Sequence, residues 1–161
     1  MFRLLLFLLP SVCSSSLAIS AETPYFGPKP CSTNKNILGY SSIKALNNDM
    51  VFNSLSTSNV TNYILCPHTE YDMSSDVLPI LPTQNNSKIQ CGKNGHSKDM
   101  CILSGGRYQI YFHHGIITEN IEFHGFMFKE SNRTSVGAYS NALSSVKFVD
   151  CQWTVRFYLL I

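Results

Sequence analysis

One pattern is written twice in this chain, and it limits the fold more than any other feature. The first copy reads Asn120-Ile121-Glu122-Phe123-His124-Gly125-Phe126-Met127-Phe128, and the second Ser145-Val146-Lys147-Phe148-Val149-Asp150-Cys151-Gln152-Trp153. At this spacing Ile121 is matched by Val146, Phe123 by Phe148, Phe126 by Cys151 and Phe128 by Trp153. Within each half, apolar residues alternate with others, the period of a strand with one buried face. Gly125 and Asp150 separate the halves, and both residue types suit a turn. Strand, bend and strand, repeated after about 25 residues, describe successive coils of a parallel β-solenoid.

The surroundings of the repeat agree with this reading. Lys88–Gly92, Cys101–Gly106 and Tyr108–Phe112 read as short strands, as do Asn62–Cys66, ended by Pro67, and Ser135–Tyr139 between the two copies. Val77-Leu78-Pro79-Ile80-Leu81-Pro82 is apolar but twice broken by proline, which fits an edge or cap segment. Glu70 to Asp76 is polar and is expected to be a loop. The only helix candidate is Ile37–Met50, where Ile43 and Leu46 are followed by the turn-prone Asn47-Asn48-Asp49. The expected organisation is a signal peptide over 1–20, an irregular N-terminal cap over 21–86, and solenoid coils over 87–161. The apolar end, Arg156-Phe157-Tyr158-Leu159-Leu160-Ile161, stands where a polar cap belongs. A truncated product is the expectation, and pairing of an open end with another chain is the alternative.

The N-terminus carries an address. Arg3, an apolar run from Leu4 to Leu9, and the small-residue segment up to Ala21 follow the order of a secretory signal peptide. Cleavage after Ala18 and cleavage after Ser20 both fit, and the run is too short to span a bilayer. Three N-glycosylation sequons, at Asn59, Asn85 and Asn132, suit a secreted chain. So do the five cysteines left after Cys13 departs, because an oxidising compartment favours disulfides. Cys91 and Cys101 close a short polar loop and are the first expected pair, Cys31 and Cys66 the next. Cys151 is left over and, in the slot of Phe126, is expected to be a buried apolar thiol. The net charge of +2 is scattered along the chain, which argues against a nucleic-acid partner, and no basic amphipathic stretch points to a membrane surface.

The run from Cys91-Gly92 through Cys101-Ile102-Leu103-Ser104-Gly105-Gly106 and both copies of the repeat resembles the right-handed parallel β-helix of the pectin-lyase-like superfamily. Its secreted, cysteine-containing members are the nearest in appearance. The resemblance covers roughly residues 87–155, and it implies an all-β right-handed parallel β-helix of few coils with apolar side chains inward. Its motif marks the fold rather than an activity. Enzymes of this fold act on acidic polysaccharides at an outer sheet face. Lyases use Arg or Lys as base with carboxylates that hold Ca²⁺, and hydrolases use paired carboxylates.

With Ile121 and Phe123 inward, Glu122 and His124 point outward and Lys147 lies above Glu122. These three are the catalytic candidates of the pattern. The plainer reading is an exposed ladder pair of little energetic value, favoured because no second carboxylate stands near Glu122 to bind a metal. Asp150 occupies a turn slot. His113, His114 and His124 lack a carboxylate or cysteine at ligand spacing, and adjacent histidines on a strand face opposite ways. No metal or cofactor is expected, Ca²⁺ entering only with lyase chemistry. Two functions remain: a non-catalytic secreted β-helix binding extracellular polysaccharide or matrix, or a pectate-type polysaccharide lyase or a fragment of one.

Overall fold

In a computed structural model, residues 27–55, 61–73, 77–113, 118–139 and 145–154 are described. The expected signal peptide, the Asn59 sequon, His114 and the apolar C-terminal end lie outside these residues. In chain order the elements are β1 (Lys29–Pro30), β2 (Leu38–Gly39), α1 (Ile43–Leu55), β3 (Asn62–Leu65), β4 (Thr69–Asp72), β5 (Lys88–Cys91), β6 (Cys101–Ser104), β7 (Ile110–Phe112), β8 (Ile121–His124), β9 (Phe126–Lys129), β10 (Val136–Ala138), β11 (Val146–Val149) and β12 (Gln152–Thr154).

From β3 onward the described strands stack in parallel and none of them pairs with its neighbour in the chain, which makes the described part a solenoid. One sheet runs β11-β8-β5-β3 and a second runs β12-β9-β6-β4. The third joins β10 to β7 and extends to Ile80 through a parallel bridge with Ile110. Each turn visits the three sheets in order, and the described residues make about three turns. Inward residues form columns. Tyr63, Ile89, Phe123 and Phe148 stack through one sheet, and Tyr71, Leu103, Phe128 and Trp153 through the next. All but the last-turn members Phe148 and Trp153 are buried. The ring of Phe123 lies parallel to that of Phe148 at 5.5 Å, and Phe128 to Trp153 at 5.0 Å. Stacked rings add a specific contact to the area they bury.

The expected matches Ile121 with Val146, Phe123 with Phe148 and Phe128 with Trp153 are ladder partners. Gly125 and Asp150 both sit in the left-handed region, with φ of +75° and +51°; Gly125 alone bends the chain from β8 to β9, and Asp150 with Cys151 bends it from β11 to β12. Gly125 is required there: a Cβ would come within 2.7 Å of the Gly95 and His96 backbone. Asparagines ladder the opposite corner. The Asn120 amide donates to Asn86 Oδ1 (3.0 Å), and Asn120 Oδ1 accepts from the Ser145 hydroxyl (2.9 Å). Asn86 and Asn120 share the positive φ that their side chains make tolerable.

Three local expectations are corrected. The solenoid does not begin at residue 87, since β3 and β4 already form a turn beneath β5 and β6. Thr69–Asp72 is a strand and not a loop; only Tyr71 of its four residues is buried and apolar, so its alternation is hidden. The helix covers Ile43–Leu55, whereas Leu38 and Gly39 pair with β1. Its buried stripe includes Asn47 and Asn53, which blurs the apolar period. Asn47 belongs inside because it closes a strand edge, donating to the Pro79 carbonyl (2.8 Å) and accepting from the Leu81 N–H (3.0 Å). Ile43, Leu46 and Met50 join the same core as Tyr63 and Leu65, so α1 covers the first turn.

Both expected disulfides form, Cys31–Cys66 and Cys91–Cys101. The first ties the segment between β1 and β2 to the residue that follows β3, and the second closes the loop between β5 and β6. Cys151 is a free thiol, half-buried against the core, and burial pushes its pKa up.

Candidate functional site

The structure brings Glu122, His124 and Lys147 together. Their strands place all three on the outer face of the first sheet, where Lys147 is the ladder partner of Glu122. His124 Nε2 lies 2.7 Å from Glu122 Oε2, and Lys147 Nζ lies 3.6 Å from Glu122 Oε1. Lys88 is the partner of Glu122 on the other side, so the carboxylate sits in a lysine–glutamate–lysine column. The hydrogen bond with His124, and then the Lys147 charge, hold the Glu122 carboxyl below the usual carboxylate range.

Access to this cluster is unequal. The loop closed by Cys91–Cys101 folds back over the same face, and Gly95 packs on the Cβ atoms of His124 and Gln90. The side chain of His124 is 14% exposed, against 67% for Lys147, so the imidazole is largely roofed over. Asp150 fastens the roof: its Oδ2 accepts from the Ser97 N–H at 2.8 Å and lies 3.7 Å from His96 Nδ1. The Ser97 backbone donor, its hydroxyl and then His96 keep the Asp150 carboxyl below its ordinary value. The turn position expected for Asp150 is thus combined with a clamp on the loop.

His124 belongs to β8 while His113 follows the end of β7, and His113 sits edge-on to Tyr111. Among the described residues no group of three or more His, Cys, Asp or Glu side chains is placed to hold a metal ion. No described helix is long and apolar enough to cross a membrane.

A second feature lies on the outer face of the third sheet. A groove of about 640 Å³ runs between the Val77–Leu81 segment and the start of β7, lined by Leu78, Arg107, Tyr108, Tyr111, His113 and Asn132 among others. Tyr108 and Tyr111 pack with ring centroids 5.0 Å apart. They have room because their neighbour in β10 is Gly137, where a Cβ would meet the Tyr108 ring at 2.7 Å and Tyr111 at 3.0 Å. Two guanidiniums approach Tyr108, Arg107 at 5.4 Å and Arg133 at 6.0 Å from the centroid, and Arg133 also donates to the phenolic oxygen at 3.2 Å. Among the described residues neither guanidinium pairs with a carboxylate.

Buried Gln109 anchors this wall from within. Its amide nitrogen donates to the Leu103 carbonyl (2.8 Å) and the Lys129 carbonyl (2.7 Å), holding the corner from which Tyr108 and Tyr111 project. The groove escaped sequence reasoning, which treated Tyr108–Phe112 only as a strand. A signal was present, since Arg133 follows Tyr108 by the repeat distance. No family model matches the chain, and neither a curated protein nor a solved structure matches it.

Proposed function

We propose that this chain is a secreted, non-catalytic β-solenoid of the pectin-lyase-like kind that binds extracellular polysaccharide or matrix through the groove on its third sheet. The observation that carries the reading is the tyrosine pair beside Leu78. Sugar rings are apolar on their faces and polar at their rims, and half-buried tyrosines held at a sheet surface offer the complementary surface at little entropic cost. The charge-leading N-terminus, the sequons and the two disulfides support the secretory address. The test is affinity electrophoresis of the secreted protein in gels cast with neutral and acidic polysaccharides. Retardation in at least one gel is expected. Tyr108→Ala or Tyr111→Ala should weaken it about tenfold, equivalent to ~1.4 kcal/mol. Unretarded migration in every gel refutes the reading.

The convergence of Lys147, Glu122 and His124 favours one rival, a pectate-type lyase. Its chemistry asks Lys147 to take a proton from an acidic sugar. Beside that amine stands a carboxylate held in its charged form, which repels such a substrate, and the imidazole is covered. The cluster therefore reads better as a ladder ion pair. Release of unsaturated uronate from polygalacturonate with Ca²⁺, abolished by Lys147→Ala, would establish the lyase instead.

A further inference from the structure

We infer that Asn132 carries an N-linked glycan whose first sugars rest in the tyrosine groove and narrow it against outside ligands. The inference uses the same groove as the polysaccharide-binding reading and rests on its secretory part. Three observations lead to it. Asn132 begins the triplet Asn132-Arg133-Thr134, and its exposed side chain lines the groove together with Tyr108 and Tyr111. Its backbone is fixed, because the Asn132 N–H donates to the Gly106 carbonyl at 2.8 Å, so a glycan there starts from a defined point on the wall. Its side-chain amide makes no hydrogen bond among the described residues.

Asn85 differs on the last count. Its Oδ1 accepts from the Glu119 N–H at 3.0 Å, and Ser87 of its triplet is buried. A glycan at Asn85 therefore grows from a side chain committed to the corner ladder, facing no tyrosine that lines the groove. At Asn132 the tethered sugar meets a tyrosine surface at the high effective concentration of an intramolecular ligand. The transfer forms one N-glycosidic bond between the asparagine amide nitrogen and the first N-acetylglucosamine, from a lipid-linked diphospho-oligosaccharide donor whose diphosphate end is the leaving group, with loss of one amide proton. The acceptor must be the unfolded chain in the secretory compartment; folding then lays the sugar on the wall.

The experiment uses the full chain expressed through a eukaryotic secretory pathway. Intact mass and glycopeptide mapping should place a glycan on Asn132. Nuclear Overhauser effects should link the acetyl methyl of its first sugar to the Tyr108 or Tyr111 ring. Release of that glycan from the native protein by peptide-N-glycosidase should be at least fivefold faster in Tyr108→Ala, and also in Gly137→Ala, which displaces both rings without removing them. Asn132→Gln and Thr134→Ala, which both abolish the triplet, should bind the polysaccharide that retards the wild type severalfold more tightly. A secreted protein unmodified at Asn132, or a glycan with no ring contact and a release rate indifferent to both variants, overturns the inference. If neither the glycosylated nor the unglycosylated protein binds any polysaccharide, the binding reading falls while a ring-contacting glycan still upholds the contact proposed here.

Discussion

Replacing Phe123 with alanine is the sharpest perturbation of the stack. Its side chain is fully buried, parallel to Phe148 at 5.5 Å and edge-on to Phe126 at 6.2 Å. No rotation of a neighbour in the same column can refill the space, because Ile89 below and Phe148 above are held by their own ladders. The cost should therefore fall in the usual range for a buried phenylalanine, about 3–5 kcal/mol. Phe148→Ala, one turn later and only half-buried, should cost about half as much. Glu122→Ala, next to Phe123 on the outer face, should stay within about 0.5 kcal/mol. The assay is urea unfolding followed by far-UV circular dichroism, with slopes compared so that midpoints report stability. In thermal scans the same change corresponds to a loss of roughly 6–20 °C for a domain of this size. Equal costs for Phe123→Ala and Glu122→Ala, or a larger cost at Phe148 than at Phe123, would refute the inward-outward alternation and the stacking order.

Other outcomes follow from the corners and clasps. Reducing Cys31–Cys66, which spans a separation of 35 residues, should destabilise by about 4 kcal/mol, and reducing Cys91–Cys101, separation 10, by about 3; paired Cys→Ser variants measured in urea check the order. Gly125→Ala must place a Cβ at positive φ against the Gly95 and His96 backbone, and should cost about 3 kcal/mol. The Asp150 carboxyl has a folded pKa below its unfolded one, so its contribution is present above the unfolded value, near 4, and is lost as pH falls through the lower folded value. An NMR titration should show the Ser97 amide shift following Asp150 at a pH below that of an ordinary aspartate, with the step gone in Asp150→Asn; a step at the ordinary pH would contradict the clamp.

The parts of the fold legible in the sequence are those where successive turns are equally long. Phe123 and Phe148 lie 25 residues apart because β8 and β9 are separated by Gly125 alone, with no loop inserted at that corner. Ile89 and Phe123 occupy the same column but lie 34 residues apart, since the loop Gly92–Met100 is inserted between β5 and β6. That insertion broke the period and hid the earlier turns. In β4 the polar outward residues hid a strand with one inward tyrosine. Of the candidate residues, the meeting of Glu122 with Lys147 could be read from the register alone. The roof over His124 could not, because it depends on where Gly95 lands. The groove was missed for a related reason: Leu78 and Met73 are brought to it by the bridge of Ile80 to Ile110, a long-range pairing that no local period encodes.

The solenoid requires inward side chains from consecutive turns to lie one above another. The direct measurement is the set of Overhauser effects between aromatic side chains in the isotopically labelled protein. Cross-peaks linking Phe123 to Phe148, Phe128 to Trp153 and Ile89 to Phe123 are expected, with no Overhauser effect between the Phe123 ring and water. Absence of these contacts, or a Phe123 ring in contact with water, would contradict the solenoid and every inference drawn from its outer faces.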